Sequence, residues 1–234
     1  MKKFFTLIAA VAMAASVNAQ GTYAVAEGET PASGSQITSV PGVTLTYGTD
    51  TYAAGKKVQN WVEEDFGFYT VGTANGKLVS GAAPTGCVYK FNTTQAGTLT
   101  IGVQLSPNKG FHVLNKDFAE VTLASYNLPA SADATESQTL TTNDKGETII
   151  PTDGAKSNGT VTINVEAGGT YYVLAAGTRL GFFGFKYATG TSGISNINAS
   201  EAANEGATFN LLGQKVAKNA KGVVVKNGKK FINK

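Results

Sequence analysis

Apolar and polar residues alternate with period two through most of positions 42–187, the spacing of strands with one buried side. The segment Gly97–Leu105 shows it best: Leu99, Ile101, Val103 and Leu105 point one way, and Thr98, Thr100 and Gln104 the other. Val161, Ile163 and Val165 repeat the stripe against Thr160, Thr162, Asn164 and Glu166, and Val43, Leu45 and Tyr47 form a third. Shorter candidates lie at 22–26, 66–71, 87–91, 111–114, 118–125, 138–142 and 147–150, with Gly, Asn and Pro between many of them. Roughly a dozen short strands broken this way predict an all-β fold, an antiparallel β-sandwich of jelly-roll-like type, over residues 20–187.

Residues 170–187 predict a hairpin around Gly177-Thr178. In that register Val173 faces Phe182 and Ala175 faces Leu180 on one side; Tyr172 faces Phe183 on the other, beside Leu174 and Phe185. Gly184 falls opposite Tyr171, whose ring is expected to fold over it. Two apolar faces fit either a central pair covered by another segment or a face that waits for a partner.

The two ends read differently from the body. Met1-Lys2-Lys3 is followed by an uncharged apolar run over 4–15, too short to cross about 30 Å of hydrocarbon as a mature helix. Val17-Asn18-Ala19 then places small residues where a signal peptidase reads, so residues 1–19 are expected to be a cleaved secretory signal. No later stretch is apolar enough for an integral membrane segment in the mature protein. Residues 188–204 are small and polar and read as a linker. Residues 205–234 predict a short C-terminal β-tail, with Asn227-Gly228 as a hairpin turn signal.

Charge sharpens this division. Residues 20–206 carry ten Lys or Arg against sixteen Asp or Glu, whereas residues 207–234 carry seven Lys and no acid. A nucleic-acid binder concentrates basic charge on its main domain, so an acidic body argues against nucleic acid as a partner.

The residue types that carry chemistry are few. Cys87 is the single cysteine; it shares a strand face with Tyr89 and Phe91 and reads as a small buried hydrophobe. His112 is the single histidine and lies in an apolar stretch with no nucleophile-elbow pattern, so no catalytic residue is assigned. Glu63-Glu64-Asp65 is the densest acidic run; on a strand Glu63 and Asp65 could share a side, and a carboxylate-dependent, polysaccharide-active enzyme needs just two acids at a set separation. Asp144, Glu147 and Asp153 offer oxygen ligands of the kind calcium takes, but match no defined calcium loop, and the glycines build no phosphate loop. No cofactor and no metal is assigned. Aromatic rings are the stronger lead, because Trp and Tyr on a sheet surface stack on sugar rings while neighbouring amides bond hydroxyls. Trp61, Tyr69, Tyr172 and Phe183 are the candidate ligand-binding residues, with polysaccharide as the expected partner.

Two stretches resemble known families. Phe209-Asn210-Leu211-Leu212-Gly213-Gln214-Lys215-Val216, then Gly222-Val223-Val224-Val225 and Asn227-Gly228-Lys229-Lys230, resembles the C-terminal sorting domain of type IX (Por) secretion substrates. The motif positions are Asn210, Leu211, Gly213, Gln214, Val216, Gly222, Gly228 and Lys229; Val224 stands where that family usually has Tyr. This resemblance implies an export machinery as a partner and a secreted or outer-cell-surface location. Residues 89–101 (YKFNTTQAGTLTI), 165–173 (VEAGGTYYV) and 180–185 (LGFFGF) resemble β-sandwich accessory modules found beside polysaccharide-degrading enzymes. That implies a non-catalytic, carbohydrate-binding role; the alternative is a structural or adhesive protein whose Tyr172–Phe183 face meets another protein.

Overall fold

Period-two stripes become strands because each lets one side leave water while the backbone pairs with its neighbours. In the structure, a computed structural model, the described residues are 21–189, with the backbone alone of 20, 208–210, 215–216, 222–226 and 229–233. The body contains β1 (Gln20–Ala24), β2 (Gln36–Ile37), β3 (Val43–Tyr47), β4 (Lys56–Lys57), β5 (Phe68–Val71), β6 (Lys77–Val79), β7 (Ala82–Thr85) and β8 (Val88–Thr93). It continues through β9 (Gly97–Leu105), β10 (Phe111–Leu114), β11 (Ser125–Asn127), β12 (Thr141–Thr142), β13 (Thr148–Ile149), β14 (Ser157–Val165), β15 (Thr170–Ala175) and β16 (Gly181–Thr189).

These strands form an all-β sandwich of antiparallel sheets. The first sheet runs β11-β14-β9-β16-β5-β4, with β1 also paired to β16; the second runs β12-β13-β10-β15-β8-β3-β2. Consecutive strands β8, β9 and β10, and again β14, β15 and β16, alternate between the sheets. The predicted stripes line the space between them. Leu99, Ile101, Val103, Val161, Ile163, Leu45 and Val173 are all sealed from solvent. Cys87, Tyr89 and Phe91 lie in the same core. Aromatic rings join the layers: Tyr89 of β8 stacks on Phe182 of β16 at 4.4 Å, and Phe91 meets Phe185 edge-on at 5.3 Å. Such pairs contribute about 0.5–1.5 kcal/mol each beyond the area they bury.

The expected hairpin over 170–187 does not form. Strands β15 and β16 belong to different sheets, joined by an arch. Both edges of β15 are taken, by β10 and β8, and β16 is flanked by β9 on one side and by β5 and β1 on the other. Val173 and Phe182 do both face the core, one from each layer, across the sandwich rather than along a ladder. Each strand is central in its own sheet, which is why the stretch is apolar on both sides. Tyr171 folds its ring over Gly169, not Gly184, and its hydroxyl accepts a bond from Glu166 N at 2.7 Å.

Two further expectations shift. No strand spans 118–125: the chain turns at Phe118, with φ 60°, Glu120 makes a single bridge to Leu114, and the next paired strand is Ser125–Asn127, with β14. Strand β16 runs two residues into the predicted linker, since Ala188 pairs with Gln20 and Thr189 with Gly97.

The chain divides into two compact units, the second beginning at Thr191. In it, β17 (Thr208–Asn210), β18 (Lys215–Val216), β19 (Gly222–Lys226) and β20 (Lys229–Asn233) form an antiparallel sheet in the order β18-β17-β19-β20. Lys226 pairs with Lys229, as the turn signal between them expects. Of the tail motif, Asn210, Val216, Gly222 and Lys229 fall on these strands; Leu211, Gly213, Gln214 and Gly228 lie outside the described residues, as do residues 1–19 and 190–204. Among the described residues, no helix is long and apolar enough to cross a membrane.

Candidate functional site

The outer side of the first sheet has a notch where glycines meet: Gly102 of β9 pairs with Gly184 of β16, and Gly184 pairs with Ala24 of β1. A β-bulge at Phe183 sets this register. The ring of Phe66 fills the notch and is completely buried. A Cβ added at Gly102 would sit 2.6 Å from its Cδ2, and one at Gly184 would sit 3.1 Å from its Cε1, so no larger residue fits beneath the ring.

Phe66 belongs to the segment 58–67, which is closed on itself by Asn60 N donating to Phe66 O at 2.9 Å. Asn60, 2 % exposed, ties the segment to β14: its Nδ2 donates to Gly159 O at 2.8 Å, and its Oδ1 accepts from Val62 N and Glu63 N. Both ends of a buried amide are thereby satisfied. On the far side, Lys186 Nζ meets Glu63 Oε2 at 2.5 Å and Asp65 Oδ2 at 3.2 Å. The acidic run therefore lies in a turn, not a strand, and the two carboxylates proposed for catalysis are held by one ammonium. Their contacts raise the pKa of Lys186, the Glu63 bond first.

This anchored segment carries Trp61, whose N donates to Asn158 O at 2.8 Å on β14. Trp61 as a whole is half-buried, neither core nor fully displayed. From Asn158 a polar row crosses the sheet: Gln104 of β9 donates Nε2 to Asn158 Oδ1 at 2.8 Å, and Gly181 of β16 lies beside Gln104. At the end of the row the Tyr69 ring of β5 rests on Gly181. Three inter-strand steps separate the anchor of Trp61 from Tyr69, about 14 Å. Tyr69 is also half-buried and packs on Phe183 at 5.7 Å. Gln104 keeps an oxygen and a second N–H beyond its bond to Asn158, and neither the Tyr69 hydroxyl nor the Trp61 indole N–H has a partner among the described residues.

The four sequence candidates therefore separate. Trp61 and Tyr69 flank the row. Phe183 is fully buried beneath the segment and supports the Tyr69 ring instead of meeting a ligand. Tyr172 lies on the outer side of the second sheet, with Leu174, Val88 and Leu114, beside Phe118 at 5.7 Å and under Lys90 Nζ at 5.9 Å. Tyr172 and Phe183 thus share no face, which removes the surface proposed for adhesion. Sequence reasoning missed Gln104 and Asn158; the signal was their place on the polar side of the two longest stripes.

His112 is 4 % exposed on β10. Its Nδ1 lies 2.5 Å from Glu120 Oε1, and its Nε2 faces Glu147 Oε1 at 3.5 Å without hydrogen-bond geometry. The carboxylates lie on opposite ring nitrogens, so the three groups cannot converge on one metal ion. Among the described residues, no cluster of three His, Cys, Asp or Glu side chains suits a metal. Glu147 is held by Asn143 Nδ2 at 2.8 Å. Cys87 is buried, its thiol near Gly72 N and Leu180 O, and burial pushes its pKa up.

No protein-family model matches the chain, and no curated protein matches it.

Burial disfavours the charged form of His112, but Glu120 and Glu147 outweigh it and raise its pKa. Glu147 is lowered, first by the Asn143 bond and, against desolvation, by His112. A raised histidine stabilises the fold fully below its unfolded value of about 6.5 and loses that contribution as pH rises through the folded value. The lowered Glu147 contributes above its unfolded value and loses it as pH falls through the folded one. His112→Gln is therefore expected to cost about 1.5–3 kcal/mol at pH 5.5 and clearly less at pH 9, measured by urea unfolding. An equal loss at both values would contradict the charge clamp.

Proposed function

We propose that the protein is a secreted or cell-surface, non-catalytic glycan-binding protein that uses the outer side of the first sheet. Two half-buried aromatic residues, Trp61 anchored by its backbone and Tyr69, stand at the ends of an amide row, and this observation carries the reading. The rings offer flat apolar faces to the apolar faces of sugar rings, and Gln104, the Tyr69 hydroxyl and the indole N–H meet hydroxyl groups between them. The segment that carries Trp61 is fixed on the sheet before any ligand arrives, so little ordering cost remains on binding. An uncharged polysaccharide with an extended backbone suits a shallow row of this length.

The apolar run over 4–15, the small residues before position 20 and the tail motif support export followed by sorting through the C-terminal unit. The test of that part is deletion of residues 205–234 in a host with type IX secretion. Loss of the protein from the medium and cell surface supports it, and unchanged export contradicts it.

For the binding part, pull-down on insoluble polysaccharides and titration with soluble ones are the direct measurements. Trp61→Ala is expected to weaken binding at least about tenfold, or about 1.4 kcal/mol, with the melting transition retained. Tyr172→Ala, on the opposite sheet, is expected to leave binding unchanged. A protein that retains no polysaccharide, or that binds equally with Trp61→Ala, would refute the assignment.

A further inference from the structure

A cleft of about 710 Å³ opens at one end of the sandwich, and its lining shares no residue with the Trp61–Tyr69 row. The β6–β7 hairpin, the β9–β10 loop, the Asn143–Glu147 turn and the β15–β16 arch enclose it. Its size lies within the range of about 300–1,000 Å³ typical of ligand sites.

The walls are fastened to one another by backbone bonds. Gly76 N donates to Thr178 O at 2.7 Å, Gly177 N to Gly76 O at 2.9 Å, Ala176 N to Gly110 O at 2.7 Å, and Asn108 N to Ile150 O at 2.9 Å. The Glu147 carboxyl lies against Gly110 so closely that a Cβ there would sit 2.7 Å from its carboxyl carbon. The cleft is therefore framed in advance rather than shaped by a ligand.

Its charge runs against the rest of the body. Lys77, Lys109 and Lys145 come to the cleft from three separate elements, all exposed. None of the three makes a close ion pair among the described residues, unlike Lys116 and Lys186, although Lys145 is near enough to Glu147 to help lower its pKa. Two acids share the cleft. Asp144 is exposed on the rim, while Glu147 is engaged by Asn143 and faces His112 behind the wall. A body with more acids than bases thus gathers three ammonium groups without close ion pairs in one concave place. Asn75 and Asn108 add amides between them, and Leu78, 45 % exposed, gives one apolar surface.

We propose that this cleft binds an acidic saccharide, one whose sugar units carry carboxylate or sulfate groups. Spaced ammonium groups meet acid groups that recur along a saccharide, amides meet the hydroxyls between them, and Leu78 meets the ring face. An acidic peptide would need pockets for its side chains, and this wall supplies one large apolar residue. The site is separate from the neutral-glycan row and stands whether or not that row binds.

The experiment is an NMR titration of the full chain with an oligogalacturonate, a heparin oligosaccharide, a neutral cello-oligosaccharide and polyglutamate. An acidic oligosaccharide is expected to shift the amides of Gly76, Gly110 and Gly177 and to bind more weakly as salt rises. Binding by either acid type supports the proposal, and the tighter of the two identifies the acid group. The double variant Lys109→Gln/Lys145→Gln is expected to weaken this binding at least about tenfold. The variant Lys56→Gln/Lys57→Gln, on an edge strand, is expected to leave it unchanged. Failure of both acidic saccharides to shift those amides overturns the proposal. So does equal binding of polyglutamate, or an equal loss with Lys56→Gln/Lys57→Gln.

Discussion

Phe66 in the glycine notch is the contact on which the candidate surface depends. Without the ring, Gly102 and Gly184 would leave a hollow over the middle of the first sheet, and Phe183 would lose part of its cover. With it, a ten-residue segment rich in polar groups lies flat on that sheet instead of standing off as a loop. Emptying such a site by Phe→Ala costs about 3–5 kcal/mol in general, more than the half-exposed Lys186 pairs on the rim contribute. The buried ring does most of the fastening; Asn60 sets the direction, and the ion pairs close the edge.

The rest of the molecule gives this contact a firm base. Rings from both layers interlock between the sheets, with Phe182 against Tyr89, Tyr47 and Phe91. The tyrosine hydroxyls in that core are not orphaned: Tyr52 donates to Val88 O at 2.8 Å, and Tyr89 donates to Leu180 O at 3.1 Å. Polar groups in the core thus bond across, and Tyr89 fixes the Leu180 end of the arch. On the opposite sheet, His112 ties the Asn143–Glu147 turn and the residues near Glu120 to β10, which holds one wall of the cleft.

How much of this could be read from the sequence depended on whether the signal was local. The stripes of β9, β14 and β3 were legible because alternation is set within the strand, and β9 and β10 fall where the pattern placed them. The partner of β15 was not legible. Gly177-Thr178 looks the same whether the chain folds back in its own sheet or arches to the other, and the choice rests on strands more than 60 residues earlier in sequence. The idea of a ring over Gly184 was right in kind, but the ring is Phe66, which no local pairing rule connects to it. Trp61 and Tyr69 stood out by residue type. Gln104 and Asn158 did not, because an amide on the polar side of a strand looks like any solvated residue until the strands are placed side by side.

Trp61 is the only tryptophan in the chain, so its fluorescence reports on the 58–67 segment alone. The most direct measurement is the emission and acrylamide quenching of Trp61 in Phe66→Ala, read well below the melting transition. The account expects a red-shifted, more strongly quenched tryptophan in a sandwich that still unfolds cooperatively. A folded Phe66→Ala protein whose Trp61 emission and quenching match those of the parent would show that the notch does not hold the surface in place.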